Sequence, residues 1–273
     1  MQVYKGLDIG TAKITEREKQ GINHYMVDIL EPNQRFTAAD FIDLTNKDVA
    51  TIAKHRHLPI MVGGTGFYLQ ALLDGYKLGS SNSVKGQKVR QSLSLYAKKN
   101  GKQALWRQLS RVDPKAAQNI PVNNERRVIR ALEVYKLTGQ LFSNQKDEPN
   151  NKLEPLIIGL NTERHLLYQR IDHRVDQMMS AGLLDEAHRL YDRGRLDLPG
   201  AKGIGYKELF AYFAGKASLN DCVELVKKNS RHYAKRQLTW FRNKMNVTWF
   251  DLVLHPEQEK NVVSQISSWL KEQ

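Results

Sequence analysis

The sequence contains little cysteine. Cys222 is the only one among 273 residues, so no disulfide can form within the chain, and a zinc site built from cysteines is not expected. The sequence has no HExxH pattern and no group of histidines and aspartates at metal-ligand spacing, so no metal ligand can be identified. The first residues do not have the pattern of a signal peptide. These features favour a reducing compartment, and we expect a cytoplasmic protein.

Long apolar runs and acidic residues are also scarce. No apolar run approaches the length of a membrane-spanning helix, so we expect no membrane insertion. The chain has 29 Asp and Glu against 42 Lys and Arg, which gives a formal net charge of +13. Such an excess favours a polyanionic partner, with nucleic acid ahead of an anionic membrane surface, although an ordinary basic protein is the alternative.

The most informative stretch covers residues 58–73, with the sequence LPIMVGGTGFYLQALL. The apolar run at residues 58–62 predicts a strand buried on both faces. Gly63 and Gly64 then allow a tight turn, and Thr65 stands where a helix N-cap belongs. Ligands bind at such loops in parallel α/β sheets. The alternative is an ordinary strand–turn–helix in which the glycines only form the turn.

Other apolar runs extend the predicted sheet. Residues 24–30, the helix after Thr37 and residues 58–62 predict a parallel strand–helix–strand crossover. Residues 156–160 and 247–251 predict further strands.

The segment between these two halves of the sheet is mostly helical. Helices are predicted near residues 89–99, 103–109 and 124–137, with Gly139 as a C-terminal stop for the last. The sequence therefore predicts an α/β core formed by residues 1–82 and 152–273, with a helical insertion at residues 83–151.

One long amphipathic helix is predicted over residues 162–191. Leu183, Ala187 and Leu190 follow helical spacing on its apolar face, so we expect them to pack in the core.

The helix after Asp221 is strongly basic. Residues 227–244 contain seven lysines and arginines and no acid. Lys228, Arg231, Lys235 and Arg242 lie on one stripe. An uncompensated charge run repels itself, so phosphate contact is favoured over a solvated face.

Two smaller basic groups accompany this helix. Arg126, Arg127 and Arg130 lie on one edge of a predicted helix and suit phosphates or a stacked base. Lys202 and Lys207 lie in a glycine-rich turn, which could bind phosphate through charge and backbone N–H groups or could be only a flexible turn.

Six segments together resemble the tRNA dimethylallyltransferase family, also called tRNA isopentenyltransferases. The segments are MQVYKGLDIGTAK at residues 1–13, VGGTGFYLQALL at 62–73, NNERRVIRALEVYKLTG at 123–139, RIDHRVDQMM at 170–179, GIGYKEL at 203–209 and YAKRQLTWFR at 233–242. Each segment alone is weak evidence, but six in the same order are specific.

The resemblance implies a fold and a reaction. The fold would be a P-loop NTPase-like, nucleotide-kinase-like parallel sheet with an inserted helical domain that grips a tRNA anticodon stem-loop. The reaction would transfer a dimethylallyl group from dimethylallyl diphosphate to the exocyclic N6 amine of the adenosine beside the anticodon. Mg²⁺ would assist the departure of diphosphate, and the adenine would be flipped out of the loop. A monomer is expected.

The resemblance also implies site residues. Thr65 would act at the catalytic site by hydrogen bonding to the flipped adenine. The expected tRNA contacts are Met1, Gln2, Thr65, Arg90, Arg126, Arg127, Val128, Ile129, Arg130, Lys235, Arg236 and Arg242. The expected contacts with diphosphate or tRNA are Lys202, Gly203, Ile204, Gly205, Tyr206 and Lys207.

The sequence departs from the family pattern at its start. The family has a G-x-x-x-x-G-K-[ST] phosphate loop, and then a strand that ends in Asp-Ser just before the position of Met1. Neither is in the printed sequence. The first strand, the phosphate loop and the general-base aspartate are therefore expected to be missing, and we expect this chain as written to be inactive. A smaller departure is Asn124, where many members have an acid.

Two other functions remain open at this stage. The chain could be a non-catalytic tRNA-binding protein or remnant that uses its basic helices alone. It could also be an adenylate prenyltransferase or nucleotide kinase with a similar core, although the helical insertion and the basic helix argue against this.

Overall fold

The computed structural model describes residues 1–76, 84–144, 153–194 and 197–272. The chain forms two compact units. The larger unit contains Met1–Thr37, Leu44–Gln70 and Glu154–Gln273, and the helical unit contains Ala38–Asp43 and Ala71–Leu153. The predicted domain boundaries, at residues 82/83 and 151/152, lie outside the described residues.

Helices dominate the described residues. The helices are α1 (Glu16–Lys19), α2 (Ala38–Lys54), α3 (Gly66–Leu73), α4 (Val84–Asn100), α5 (Lys102–Val112), α6 (Pro114–Asn119), α7 (Glu125–Thr138), α8 (Arg164–Ser180), α9 (Leu183–Arg193), α10 (Phe210–Phe213), α11 (Leu219–Lys244) and α12 (Glu259–Glu272). The strands are β1 (Ile158–Leu160) and β2 (Thr248–Phe250). No helix in the described ranges is long and apolar enough to cross a membrane.

The two strands pair in parallel, with Gly159 opposite Trp249. The apolar runs at residues 156–160 and 247–251 predicted both strands correctly. A Cβ atom on Gly159 would lie 2.5 Å from Cε3 of Trp249, so the indole of β2 requires a glycine at this place in β1.

The strand predicted at residues 58–62 is wrong. These residues have no regular structure, and Ile60 and Val62 are 77% and 92% exposed. An apolar run becomes a buried strand only when neighbouring strands satisfy its backbone N–H and C=O groups. Within the described ranges no strand pairs with this run.

The strand predicted at residues 24–30 is also wrong, apart from one isolated parallel bridge between Leu30 and Tyr4. Met26 and Asp28 have φ angles of 59° and 54°. These left-handed residues interrupt the extended backbone that a strand needs.

The helix predicted over residues 162–191 is divided into α8 and α9. Gly182 between them has a φ of 101°, which a continuous right-handed helix does not allow. Leu183, Ala187 and Leu190 are buried in the core of the larger unit, as their spacing predicted.

The helical unit has its own core. The three predicted helices correspond to α4, α5 and α7, which pack around Leu93, Leu105, Leu109 and Leu132. The side chain of Asn124 accepts a hydrogen bond from the Arg127 amide and caps α7. Gly139, with a φ of 71°, ends α7 as predicted.

Asp113 connects two parts of this unit. Its buried carboxylate accepts hydrogen bonds from the Ala116 amide at 3.0 Å, which caps α6, and from the Ser143 amide at 2.8 Å. Burial raises the pKa of Asp113, but the hydrogen bonds from Ser143 and Ala116 outweigh burial and hold the pKa below its ordinary value.

Asp113→Asn tests this link. Because the pKa of Asp113 is lower in the folded state, its stabilisation is present at neutral pH and is lost as pH falls through the folded-state pKa. We expect the variant to lose about 1–2 kcal/mol of unfolding free energy at pH 7, and this difference to shrink below about pH 4. Urea unfolding followed by circular dichroism at both pH values measures it. Asp43→Asn, at an exposed site in α2, is the control. A difference that stays constant with pH would contradict the assignment.

Candidate functional site

The glycine loop, defined here as residues 63–66, packs against α11. The Gln237 side-chain amide donates a hydrogen bond to the Gly64 carbonyl at 2.9 Å. The rings of Phe67 and Trp240 meet edge to face, with centroids 6.4 Å apart. Thr65 is exposed immediately before α3, and its carbonyl accepts a hydrogen bond from the Tyr68 amide. The loop that carries Thr65 therefore packs against α11, and the residues before it do not form the predicted strand.

Two glycines of this loop pack closely against α11. A Cβ atom would lie 1.9 Å from Nε2 of Gln237 if it were built on Gly64, and 2.2 Å from Cδ1 of Trp240 if it were built on Gly66. At Gly63 it would meet no atom within 4 Å. Packing against the Trp240 ring thus requires glycine at position 66, whereas the flexible end of Gln237 could move away from a Cβ atom at position 64. Ligand binding by Thr65 stays a prediction.

A buried carboxylate organises the first segment of the chain. Glu186 of α9 is 2% exposed. It accepts hydrogen bonds from the backbone amides of Asp8, Ile9 and Gly10 at 2.8, 3.0 and 3.0 Å. It also accepts one from the Tyr206 hydroxyl at 2.7 Å. Sequence reasoning missed Glu186, although an acid on the apolar face formed by Leu183, Ala187 and Leu190 was a visible signal.

Lys13 closes the same segment from the other side. Its ammonium donates to the Tyr4 carbonyl at 2.8 Å and to the carboxylates of Asp8 and Asp28. Gln2 donates its side-chain amide to the carbonyls of Thr11 and Ala12 at 3.1 and 2.9 Å. Residues 1–13 therefore form a closed loop, and the Gln2 side chain is engaged within it. A tRNA contact by Met1 or Gln2 stays a prediction.

The glycine-rich turn around residues 202–207 also binds protein carboxylates. The Gly205 amide donates to Glu208 at 3.0 Å, and Glu208 accepts a second bond from Asn229 of α11 at 2.8 Å. Tyr206 is fully buried, and its pKa is raised by burial first and then by its bond to Glu186. In this arrangement the Gly205 amide binds Glu208 rather than a phosphate. Lys202 and Lys207 are exposed, and the Lys207 ammonium lies 3.8 Å from Oε1 of Glu208. Phosphate binding by this turn stays a prediction.

The basic helix α11 is partly neutralised by α8. Lys227 pairs with Asp176 at 2.8 Å, and this hydrogen bond is the main cause of its raised pKa. Arg231 pairs with Asp172. The charge run is therefore compensated in part, by these acids of α8 and by Glu224 earlier in α11, which lies 3.0 Å from Lys227.

Other cations of α11 remain exposed. Lys228, Lys235, Arg236 and Arg242 lie at its surface. Arg236 stacks over Tyr233, and Arg242 lies over Trp249 with its guanidinium carbon 5.7 Å from the ring centroid.

In the helical unit, a second buried carboxylate pairs with two predicted contact residues. Glu133 lies 3.1 Å from Nε of Arg90 and 3.1 Å from Nη1 of Arg130. Arg126 and Arg127 are exposed in the first turn of α7. The Val128 side chain is buried and Ile129 packs against the same core, so a tRNA contact through the Val128 side chain does not fit this arrangement.

These features define an α/β protein with a separate helical unit and exposed arginines and lysines on both units. The chain belongs to the IPP transferase family, whose model matches residues 2–244. This confirms the resemblance drawn from the six segments. The described ranges hold no group of three or more His, Cys, Asp or Glu side chains that could bind a metal ion.

Similar proteins agree with this membership. The tRNA dimethylallyltransferase of Ligilactobacillus salivarius is 57% identical, over 99% of this chain and 88% of that protein. The enzyme of the same name from Enterococcus faecalis is 46% identical, over 100% and 87%.

Two solved structures resemble the whole chain. The full-length tRNA isopentenylpyrophosphate transferase of Bacillus halodurans is 45% identical, with a TM-score of 0.71 over 99% of this chain and 86% of that one. A eukaryotic dimethylallyltransferase acting on tRNA is 25% identical, with a TM-score of 0.82 over 100% and 72%. They confirm the α/β fold with a parallel sheet and a helical domain. The absence of a first strand and phosphate loop stays a prediction.

Gly66→Ala and Gly63→Ala form a matched pair that tests the packing of the glycine loop. Alanine favours a helix start on its own, yet we expect Gly66→Ala to destabilise the larger unit by about 1–3 kcal/mol because its methyl group meets Trp240. Gly63→Ala should stay within about 0.5 kcal/mol of the parent. Urea unfolding followed by tryptophan fluorescence measures both. Equal effects of the two variants would show that the loop does not rest on α11.

Proposed function

We propose that this protein is a tRNA-modifying prenyltransferase. It transfers a dimethylallyl group from dimethylallyl diphosphate to the N6 amine of the adenosine adjacent to the anticodon. Family membership and the names of the similar enzymes support the class of reaction. The observation that carries the proposal is that α11 both fixes the loop bearing Thr65, through Gln237 and Trp240, and exposes cations for a polyanion.

The reaction defines what the site must do. The bond between C1 of the dimethylallyl group and the diphosphate oxygen breaks, a bond from N6 to C1 forms, and N6 loses one proton. An adenine amine is a weak nucleophile, so it must be oriented and its proton must be accepted. We assign Thr65 to orientation, because its hydroxyl can donate or accept a hydrogen bond without acting as a base.

Mg²⁺ is the cofactor expected for the diphosphate. Mg²⁺ on a phosphate substrate usually keeps several waters and takes one or two carboxylates. The described residues do not fit a site held by protein ligands alone, since no cluster of three candidate ligands occurs among them. We therefore assign the ion to no residue of this chain.

The proposed RNA ligand is the anticodon stem-loop, bound by a monomer in the cytoplasm, where tRNA is modified. On α11 the proposed contacts are Lys235, Arg236 and Arg242, and on the helical unit they are Arg126 and Arg127, all of which are exposed. Arg90 and Arg130 would contribute from their bonds with Glu133. Such contacts suit phosphates and stacked bases.

A transfer assay tests the function. Two samples are compared, the native protein isolated from cells and a recombinant protein with the 273-residue sequence. Each is mixed with dimethylallyl diphosphate, Mg²⁺ and a stem-loop RNA, and the RNA nucleosides are then analysed by mass spectrometry. We expect the native protein to prenylate one adenosine. The 273-residue chain also tests the expectation of inactivity, which predicts binding without transfer. Binding without transfer by both proteins would favour a non-catalytic RNA-binding protein, and transfer to AMP alone would favour an adenylate prenyltransferase.

Lys235→Gln and Lys227→Gln test the RNA-binding face of α11. Lys235 is exposed, whereas Lys227 is paired with Asp176 and Glu224. Loss of one phosphate contact should weaken stem-loop binding and lower the slope of log K against log salt by about 1. We expect this change for Lys235→Gln and a smaller one for Lys227→Gln. The slopes are obtained from binding affinities measured between about 50 and about 200 mM salt. Equal slopes for both variants would show that this face of α11 does not contact the RNA.

A further inference from the structure

One carboxylate joins two segments that are far apart in the sequence. Oε2 of Glu186 accepts hydrogen bonds from the backbone amides of Asp8 and Ile9. Oε1 accepts hydrogen bonds from the Gly10 amide and the Tyr206 hydroxyl. These bonds connect the loop of residues 1–13 to the turn that carries Lys202 and Lys207.

The charge of Glu186 is necessary for this arrangement. Three successive backbone N–H groups form a concave anion-binding nest, and a buried carboxylate is tolerated only when such donors compensate it. A glutamine would place its own N–H donors against at least one of these backbone amides. A neutral amide side chain at this position therefore could not satisfy all four donors.

The packing around this connection is tight. A Cβ atom on Gly10 would lie 2.7 Å from the Tyr206 ring, and one on Gly203 would lie 2.9 Å from Cε of Met1. The two segments thus touch directly.

We propose that Glu186 is a positioning residue that holds residues 8–10 and Tyr206 together. The adjoining turn then presents to a phosphate-bearing substrate the exposed Lys202, and Lys207 beside Glu208. This inference rests on the proposed function. The ligand chemistry is a phosphate group, from either the RNA backbone or the diphosphate. Glu186 acts through these segments and does not touch the reacting atoms.

Hydrogen exchange tests the structural link. In Glu186→Gln, we expect the amides of residues 8–10 to exchange at least about tenfold faster than in the parent, because each loses a bond to a charged acceptor. Glu133→Gln removes a carboxylate that is equally buried but lies in the helical unit. This variant should leave the exchange rates of the amides of residues 8–10 unchanged. No increase in exchange in Glu186→Gln would overturn the proposal.

Ligand binding tests the positioning role. Stem-loop RNA and inorganic diphosphate are titrated separately, which distinguishes the two sources of phosphate. We expect Glu186→Gln to weaken binding of at least one of them about tenfold. Faster exchange with unchanged binding of both ligands would reduce Glu186 to a structural role and overturn the proposal.

Tyr206→Phe keeps the test decisive if Glu186→Gln does not fold. It removes the hydroxyl bond to the carboxylate and leaves the three backbone bonds in place. Binding should weaken several-fold while the amides of residues 8–10 stay protected, and unchanged binding would overturn the proposal. If the parent protein bound neither ligand, the proposed function would be refuted. The exchange rates would still show whether Glu186 holds the amides of residues 8–10.

Discussion

The larger unit depends on keeping one buried negative charge satisfied. Glu186 lies among apolar side chains of α9, and its carboxylate is stable there only because the backbone of residues 8–10 and the Tyr206 hydroxyl surround it. The same requirement fixes the path of the first segment, which has no regular secondary structure of its own. Lys13, paired with Asp8 and Asp28, secures the other end of that path. Charge thus holds this irregular loop together with the backbone hydrogen bonds that it makes to residues 28–30.

Helix α11 has a comparable role for the glycine loop. Its inner positions, Gln237 and Trp240, hold the backbone next to Thr65, while Lys227 and Arg231 are neutralised by α8. Lys228, Lys235, Arg236 and Arg242 of α11 remain exposed. Partial neutralisation lowers the self-repulsion of the helix. One helix therefore both holds the loop that carries Thr65 and bears exposed cations.

The sequence predicts local features well. Strands β1 and β2, the three larger helices of the helical unit and the Gly139 stop follow from apolar spacing and capping residues. The run at residues 58–62 shows the limit: its side chains indicate burial, but a strand needs a partner edge, which a local pattern does not contain. The roles of Glu186 and of the acids of α8 depend on contacts with residues distant in the chain, 178 positions away in the case of Asp8. Family resemblance supplied the reaction, whereas these contacts emerged only from the fold.

In the proposed function, the exposed cations of α11 and α7 and the loop at Thr65 each contact the RNA. Photo-crosslinking of a stem-loop RNA to the native protein, with mass-spectrometric mapping of the crosslinked peptides, tests these contacts most directly. We expect crosslinks near Thr65, along residues 235–242 of α11 and at the start of α7. Crosslinks confined to α12 or to α1, with none on these three segments, would contradict this expectation.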